Sequence, residues 1–298
     1  MTPNLEAWIP TLWARETLRF LRNYLVMGRL VNRDYGDVFS AFGHTVNIPL
    51  PPTLAAQSKT KGVPITFTDV TGTTIPVVLD KHIVTAFVVD DVAFSQTNVN
   101  VMANYGQASA IAVATEIESY LLQRYVDAAS AVGTPGTAFS RPNLLKARTK
   151  LNVAKTPLLE NRYVVLSSQD IEGFLGDLSS TNAAAMFQQT SELREGAVGR
   201  LYGFDIYESN MAPQVAGTPL TTHGIAAHRD ALTLVNRRLI DPPAGAGIRA
   251  STVYDEGTGL AIRVMMSYDH NNFTQKVTYD LLIGAKTIRP SMMVDLQS

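Results

Sequence analysis

The residues that could carry chemistry in this chain are few and widely spaced. His223 and His228 are the first candidates, because Asp230 follows them and these residue types bind metal ions. Ligand pairs on a helix need a spacing of three or four, and pairs on one face of a strand need an even spacing. The spacing of five between the two histidines fits neither pattern, so the sequence predicts no metal site.

Two pairs of carboxylates could serve in acid–base catalysis, but neither pair is arranged for it. Asp90 and Asp91 are consecutive, so on a strand their side chains point to opposite faces. Glu116 and Glu118 lie two positions apart in a predicted helix, where such side chains diverge. We interpret the two aspartates as the junction between a strand and a loop.

The sequence also contains no motif typical of a catalytic nucleophile or of a nucleotide-binding loop. Ser167, Ser168 and Asp170 lack a glycine-flanked elbow and a nearby histidine, and the spacing from Ser167 to Asp170 is that of a capping box. The glycine-rich stretches 133–136 and 245–247 match neither a dinucleotide fingerprint nor a phosphate-binding loop. We therefore predict no catalytic and no cofactor-binding residues, and a protein that is not an enzyme.

Composition narrows the class further. The 298 residues carry a net charge of −1, so there is no overall positive field to hold nucleic acid, and we expect only weak, non-specific contact with DNA. The chain has no cysteine, which fits a reducing cytoplasm. Charged residues interrupt the N-terminal apolar positions, and no run reaches the roughly 18 apolar residues that span a bilayer. We expect a soluble protein with no membrane partner.

The longest element that the sequence predicts is an extended β stretch at residues 45–90. It is rich in Thr, Val and Ile, which favour a pleated chain. Folded once on itself, it gives two arms of about 60 Å at roughly 3.3 Å per residue. A globule of this chain length has a radius of gyration of only about 19 Å. The arms should protrude and cover their apolar side chains on another surface, most simply a second copy of the chain.

Residues 11–27 predict an amphipathic helix rich in aromatic side chains. The residues alone leave open a helix packed on its own domain or an arm bound to a partner, and acidic residues disfavour a membrane-surface helix. We predict that the helix docks on a neighbouring subunit or on the adjacent extended loop. Its anchors would be Trp8, Trp13, Phe20 and Tyr24.

The rest of the chain has the texture of an α+β protein. An Ala-rich helix is predicted over 104–129, and glycine and proline at 133–136 end it. A turn is predicted at 69–72 and a surface loop at 241–247. Further helices are predicted at 143–152, from 167 onward and at 192–201, and strands at 163–166, 204–207, 251–254, 260–268 and 275–283.

Two phrases in the chain resemble passages of phage coat proteins. Residues 199–210 read Gly-Arg-Leu-Tyr-Gly-Phe-Asp-Ile-Tyr-Glu-Ser-Asn, which resembles their Gly-x-x-x-Gly-Phe-x-x-x-x-Ser-Asn passage. Residues 228–231 read His-Arg-Asp-Ala, which resembles a second such passage. Together with the order of elements over nearly the whole chain, these phrases make the sequence resemble the major capsid (coat) proteins of tailed bacteriophages, which have the Hong Kong 97-type fold.

The resemblance implies an α+β fold with four parts. These are an N-terminal arm at 1–44, a long β-hairpin extended loop at 45–90, a peripheral domain with a spine helix at 91–138 and 242–298, and an axial domain at 139–241. It also implies a structural protein that self-assembles as pentamers and hexamers into an icosahedral shell around phage double-stranded DNA. The protein would belong to the virion and be assembled in the host bacterial cytoplasm.

The resemblance further implies which partners and residues make contacts. The partners would be other copies, a portal, decoration proteins and, since no long segment precedes the arm, a separate scaffolding protein. We predict inter-subunit contacts at Trp8, Trp13, Phe20, Tyr24, Leu54, Lys59, Lys61, Ile65, Phe67 and Ile75.

Some relatives cross-link a loop lysine to an asparagine. Lys59, Lys61, Asn271 and Asn272 supply these residue types, but such a combination is common by chance, and we expect association without covalent bonds. Two other classes stay open. An encapsulin-type nanocompartment shell shares the fold and encloses cargo protein, and an oligomeric enzyme of unrelated fold is the other.

Overall fold

The computed structural model describes most of the chain from residue 12 onward. The described residues are 12–18, 21, 25–34, 45–50, 54, 56–62, 64–65, 67, 72–96, 101–158, 160–179, 199–243, 247–255 and 259–298. Three sets of sequence predictions fall wholly or largely outside them: the turn at 69–72, the helix at 192–201, and the aromatic anchors Trp8, Phe20 and Tyr24.

Helices and strands alternate along the described chain. The helices are α1 (12–18), α2 (Met27–Leu30), α3 (Asp91–Gln96), α4 (Val101–Leu122), α5 (Arg141–Val153) and α6 (Ser168–Ser179). The strands are β1 (Thr45–Leu50), β2 (Thr73–Val78), β3 (Lys81–Asp90), β4 (Ser130–Gly133), β5 (Arg162–Leu166), β6 (Arg200–Leu201), β7 (Phe204–Glu208), β8 (Gln214–Val215), β9 (Thr221–His228), β10 (Leu232–Arg237), β11 (Ile248–Asp255), β12 (Leu260–Asp269), β13 (Thr274–Thr287) and β14 (Met293–Gln297).

A five-stranded antiparallel sheet is built around the long strand β13. Strand β3 pairs along one edge of β13, while β12 and then β10 pair along the other, and β11 extends the sheet beyond β12. Alternate residues of β13, Val277, Tyr279, Leu281 and Ile283, are buried, because one face of the sheet covers the core. The opposite face is covered at one end of β13 by the base of the extended loop and is more exposed toward Thr274.

Helix α4 and the N-terminal residues pack on the buried face of this sheet. Buried positions of α4 recur every three or four residues, at Ala110, Val113, Ala114, Ile117 and Leu121. The helix is 22 residues long, or about 33 Å at 1.5 Å per residue. Small side chains on this face allow the sheet and the N-terminal segment to approach closely.

The second sheet has seven strands, with α5 and α6 packed on it. Its strand order is β4-β14-β9-β5-β7-β6, and β8 pairs with β9. Strand β5 lies inside the sheet, and all five of its residues are buried. Leu144, Ala147 and Leu151 of α5 and Phe174 of α6 complete this core.

The base of the extended loop is fixed to the five-stranded sheet. Strands β1 and β2 pair in register from Thr45 with Val78 to Leu50 with Thr73. A Cβ at Gly284 of β13 would lie 2.2 Å from the Val78 carbonyl oxygen, so only glycine permits this close crossing. The Tyr120 hydroxyl donates to Asp80 at 2.8 Å and accepts from the Ala285 N–H at 3.2 Å, which ties the same base to α4.

The sequence predictions of individual elements have mixed outcomes. The strands predicted at 163–166, 204–207, 251–254, 260–268 and 275–283 are confirmed, as is the helix predicted at 143–152. The helix predicted over 104–129 ends instead at Leu122, and a 3-10 turn and then β4 follow it. Residues 64, 65 and 67, predicted as part of a strand, lie outside any strand, since prolines such as Pro64 donate no ladder hydrogen bond.

Candidate assembly interface

The residues that could do chemistry serve structural roles in the described chain. The His223 ring stacks on Tyr125 with centroids 3.9 Å apart, and its Nδ1 lies 3.0 Å from Asp295 Oδ1, so it fixes β9 to β14 and to the 3-10 turn that follows α4. His228 Nδ1 accepts from the Asp230 N–H at 3.2 Å. Burial lowers the pKa of the His228 ring, which is therefore a neutral acceptor at pH 7.

The candidate carboxylates and serines are likewise occupied with local structure. Asp90 Oδ1 accepts from the Val92 N–H at 2.8 Å at the junction between β3 and α3. Ser167 Oγ accepts from the Asp170 N–H at 3.1 Å and donates to Asp170 Oδ2 at 2.7 Å, which confirms the predicted capping box at the start of α6. Each of these three side chains thus accepts a hydrogen bond from a nearby backbone N–H group.

The described residues contain neither a metal-binding cluster nor a membrane-spanning helix. No group of three or more histidine, cysteine or acidic side chains among them lies close enough to hold a metal ion. None of the helices in the described part of the chain is long and apolar enough to cross a membrane.

The first phrase, residues 199–210, is a tight hairpin fixed to its neighbouring strand. Tyr202 (φ 51°) and Gly203 (φ 84°) form the two-residue turn between β6 and β7, and glycine suits this conformation. Phe204 is fully buried beyond the turn. At the other end, the Ser209 N–H donates to the Leu166 carbonyl at 2.9 Å, and Ser168 Oγ donates to Asn210 Oδ1 at 2.7 Å.

The second phrase, residues 228–231, is the crossing from one sheet to the other. Strand β9 belongs to the seven-stranded sheet and β10 to the five-stranded sheet, with a 3-10 turn of Arg229–Ala231 between them. The Ala231 carbonyl accepts from the N–H groups of Ile288 and Arg289, in the return crossing from β13 to β14. Arg229 and Asp230 hold the N-terminal segment through Asp34 and Asn32, at 2.8 and 3.2 Å.

The loop beyond the β1–β2 base exposes large apolar side chains. Leu54 is 72% exposed, Ile65 52% and Phe67 87%, while Lys59 and Lys61 lie between them in exposed positions. Ile75 differs, because it packs against the buried cluster at the base of the loop. Exposed apolar groups of this size on one segment are typical of a surface that another protein covers.

The N-terminal segment, defined as residues 12–34, packs on its own subunit through its apolar side. Ala14, Leu18, Leu21 and Leu25 are buried in the same core as α4 and β13. Trp13 is half-buried, and its ring stacks on Phe87 of β3 with centroids 6.1 Å apart. A neighbouring subunit could therefore reach only the outer edge of Trp13.

Glu118 is the functional candidate that sequence reasoning missed. It is only 3% exposed, and it accepts hydrogen bonds from the N–H groups of Val26 and Met27, the latter at 3.0 Å. Burial raises its pKa to about 7, despite these hydrogen bonds and the nearby Arg29 charge. In the sequence, Glu118 follows Ala110 and Ala114 at intervals of four, which places its carboxylate on the apolar face of α4.

A charged triad on the outer face of the five-stranded sheet was missed as well. Arg263 Nε donates to Asp280 Oδ1 at 2.9 Å, and His82 Nε2 lies 3.1 Å from Asp280 Oδ2. The three residues sit on neighbouring strands β12, β13 and β3, which the order of strands in the sequence did not reveal. The triad pairs a buried carboxylate across the sheet and stabilises its register.

The fold and these surfaces define a structural protein that builds a shell. The family model of phage capsid protein matches residues 72–294, about three quarters of the chain. This chain belongs to that phage capsid protein family, and a shell component of the virion is its role. The predicted resemblance to tailed-phage major capsid proteins is confirmed.

Solved structures confirm the Hong Kong 97-type α+β fold. A structure from Mycobacterium phage Che8 is similar with a TM-score of 0.64 and 21% identity, covering 91% of this chain and 90% of that one. The capsid of Ralstonia phage GP4 is similar with a TM-score of 0.63 and 12% identity, covering 92% and 88%. At these identities the likeness concerns the fold alone.

An encapsulin is also similar. The encapsulin complex from Synechococcus elongatus has a TM-score of 0.51 and 12% identity, covering 86% of this chain and 82% of that one. No sequence among the curated proteins matches this chain.

Proposed function

We propose that copies of this chain assemble as pentamers and hexamers and close an icosahedral shell around phage double-stranded DNA. The observation that carries the proposal is the contrast between the two ends of the extended loop. Its base is locked to the sheet at Gly284 and Val78, whereas Leu54 and Phe67 are open to solvent in the single subunit. A surface of that kind needs a second copy to cover it.

The proposed domains correspond largely to the two sheets. Residues 1–44 act as the N-terminal arm and 45–90 as the extended loop. The five-stranded sheet and α4 support the assignment of 91–138 and 242–298 to a peripheral domain with a spine helix, and the seven-stranded sheet supports an axial domain at 139–241. We refine the boundaries by strand pairing: β4 and β14 go with the axial sheet, and β3 and β10 go with the peripheral sheet, so the proposed extended loop ends before Lys81.

The proposed inter-subunit contacts lie in the arm and the loop. Leu54, Ile65 and Phe67 would supply apolar anchors, and Lys59 and Lys61 would supply charges beside them. Ile75 would contribute through the base of the loop that it packs against. In the arm, Trp8, Trp13, Phe20 and Tyr24 remain the proposed anchors.

The proposed partners beyond other copies are a separate scaffolding protein, a portal and decoration proteins. Assembly would take place in the host bacterial cytoplasm. The chain's net charge of −1 supports weak, non-specific contact with the packaged DNA, because a strongly cationic wall would hold DNA that must slide during packaging.

Electron microscopy of the purified protein, alone and with a co-expressed scaffolding protein, tests the proposal. We expect capsomers, closed shells, tubes or sheets, and a stable monomer at high concentration under both conditions would contradict it. The likeness to an encapsulin supports a second candidate, a nanocompartment shell. Particles from infected cells separate the two, since double-stranded DNA inside supports the capsid and cargo protein inside supports the nanocompartment.

A further inference from the structure

Helices α5 and α6 lie next to each other on one face of the seven-stranded sheet. Leu151 of α5 and Phe174 of α6 are buried in the same apolar cluster on that face. Helix α5 packs over β4 and β14, at one edge of the sheet. Helix α6 begins beside the residues that follow β7, where Ser168 Oγ donates to Asn210 Oδ1 at 2.7 Å. The two helices therefore lie toward opposite edges of the sheet.

The outer flank of α5 carries lysines and an exposed valine. Lys146, Lys150 and Val153 follow one another at intervals of four and three, so they lie on one side of the helix. Lys150 Nζ donates to the Ala131 carbonyl of β4 at 2.6 Å, which places this side at the edge of the sheet. Lys146 is exposed, and Val153 is 78% exposed. The whole helix contains four basic residues and no acidic one.

The outer flank of α6 carries the opposite charge. A Cβ at Gly173 would lie 3.1 Å from the Ala138 Cβ and 3.2 Å from the Phe139 carbonyl oxygen, so this side of α6 faces the residues that lead into α5. Glu172 and Leu175 are exposed and lie three residues apart on the other side. Helix α6 contains three acidic residues and no basic one.

The two flanks match each other in charge and in apolar content. Each one places an exposed apolar side chain, Val153 or Leu175, beside charge of one sign, and an apolar centre with a polar rim is typical of protein interfaces. The phosphate backbone of a nucleic acid would match the lysines but would leave Val153 uncovered. Because the flanks lie at opposite edges of one sheet, they cannot meet within one subunit. Each can meet the other flank of a second copy.

We propose that the α5 flank of Lys146, Lys150 and Val153 docks on the α6 flank of Glu172 and Leu175 in the next copy of the chain. The inference rests on the proposed function, because it assigns the surfaces that meet inside a pentamer or hexamer. Such a contact joins two different surfaces, and repeated by rotation it closes into a ring. The charges would determine which flank pairs with which, since electrostatic complementarity supplies specificity more than affinity.

Cross-linking tests the contact directly, because the chain has no cysteine of its own. Val153→Cys and Leu175→Cys are combined in one full-length chain, which is assembled and then treated with a short bis-maleimide. Denaturing gels should show ladders that extend to pentamers and hexamers. Either substitution alone should give only monomer, since the contact joins two different positions. Dimers from a single variant would indicate a symmetric contact and would overturn the proposal.

Charge reversal tests the pairing without cysteines. Lys146→Glu or Glu172→Lys alone should lower the yield of capsomers by about tenfold or more, because each places like charges at every contact of the ring. The double variant should return to within about twofold of the wild type, since opposite charges face each other again. Lys155→Glu is the matched control: it reverses an exposed lysine just beyond α5, outside the proposed flank, and should assemble as the wild type.

The outcomes separate this contact from the proposed shell. Wild-type chains that form no capsomers contradict the proposed function, and this contact with it. Capsomers that form no cross-links between positions 153 and 175 overturn the contact alone, as does normal assembly of both charge-reversed single variants. Circular dichroism of the unassembled subunits shows whether each variant folds. If a charge-reversed variant does not fold, the cross-linking result decides.

Discussion

At the scale of single residues, the histidines and the Ser-Asn end of the first phrase hold elements of the described chain together. His223 bonds to Asp295 across the seven-stranded sheet, and His228 caps the turn between the two sheets. The Ser-Asn end of the first phrase binds the connection between β5 and α6. Local sequence revealed the residue types, but the partners of His223 and Asn210 lie 72 and 42 positions away and became known only with the fold.

Arg162 gives the sharpest residue-scale prediction. Its guanidinium is 2% exposed and donates to the Pro157 carbonyl, Asn152 Oδ1 and the Thr156 carbonyl at 2.7 to 2.8 Å. Arg162→Lys keeps the charge but cannot reach three separate acceptors, so it should lower the free energy of unfolding by about 2–4 kcal/mol.

Urea unfolding of the unassembled subunit measures this loss. Arg238→Lys is the control, because Arg238 is 68% exposed and lies 3.5 Å from Asp241, so its substitution should cost less than about 0.5 kcal/mol. Equal effects of the two substitutions would show that the three buried hydrogen bonds contribute little.

At the scale of elements, the sequence predicted the helices and strands in which apolar and polar residues alternate with a clear period. Strand β12 alternates between buried and partly exposed residues from Ile262 to Ser267, and it was predicted to within one residue. Strand β13 was predicted at 275–283 and extends to Thr287, where residues 283–285 are all buried and do not alternate. Strand β9 was missed because residues 222–228 are all buried and include Gly224 and two alanines, so neither alternation nor β-branching marks it. Strand β14 is a short C-terminal strand that only pairing with β9 and β4 defines.

The functional candidates were predictable from sequence only where a local pattern marked them. Leu54, Ile65 and Phe67 could be selected from sequence because they stand in a stretch too long to fold into a globule. Glu118 could not, because its partners Val26 and Met27 lie 92 and 91 positions away. A carboxylate at an apolar position of α4 was the one available signal.

The N-terminal segment gives the prediction at the element scale. Trp13 packs on Phe87 of the same subunit, so Trp13→Ala should remove about 1–2 kcal/mol and lower the melting temperature of the free subunit by a few degrees. If its outer edge also docks on a neighbour, the yield of closed particles should fall more than the lost stability explains.

Leu12→Ala is the matched control, because Leu12 is exposed on the same helix and should leave the melting temperature nearly unchanged. A sharp drop in melting temperature for Trp13→Ala, together with normal assembly of the folded subunits, would make the segment purely a core helix.

At the scale of the whole molecule, two chain crossings join the sheets side by side. The crossing at Arg229–Ala231 and the return at Pro290–Met292 are linked by the Ala231 carbonyl. The N-terminal segment bridges to the first crossing through Asn32 and Asp34. The two sheets therefore form a connected frame, and the extended loop is the part of the described chain that this frame leaves least covered.

A shortened loop should separate folding from assembly. Replacing residues 54–70 by a short Gly-Ser linker keeps β1, β2 and the buried residues Val77 and Leu79. Because Leu54, Ile65 and Phe67 are exposed in the subunit, cooperative unfolding should survive while shells fail to form. Loss of folding, seen by circular dichroism, would place these residues in the core instead.

The last prediction concerns how copies are joined. The chain has no cysteine, and Asn272 Nδ2 already donates to Asp269 Oδ2 at 2.9 Å within its own turn. Asp269 also accepts from Lys276 at 2.9 Å, and these contacts hold its pKa well below the usual range, so the turn stays ordered at neutral and mildly acidic pH. An asparagine held in this way is a poor acceptor for a loop lysine, and boiled denaturing gels of mature particles should show one monomer band. Ladders that disappear on Lys59→Arg or Lys61→Arg would contradict this and identify the lysine.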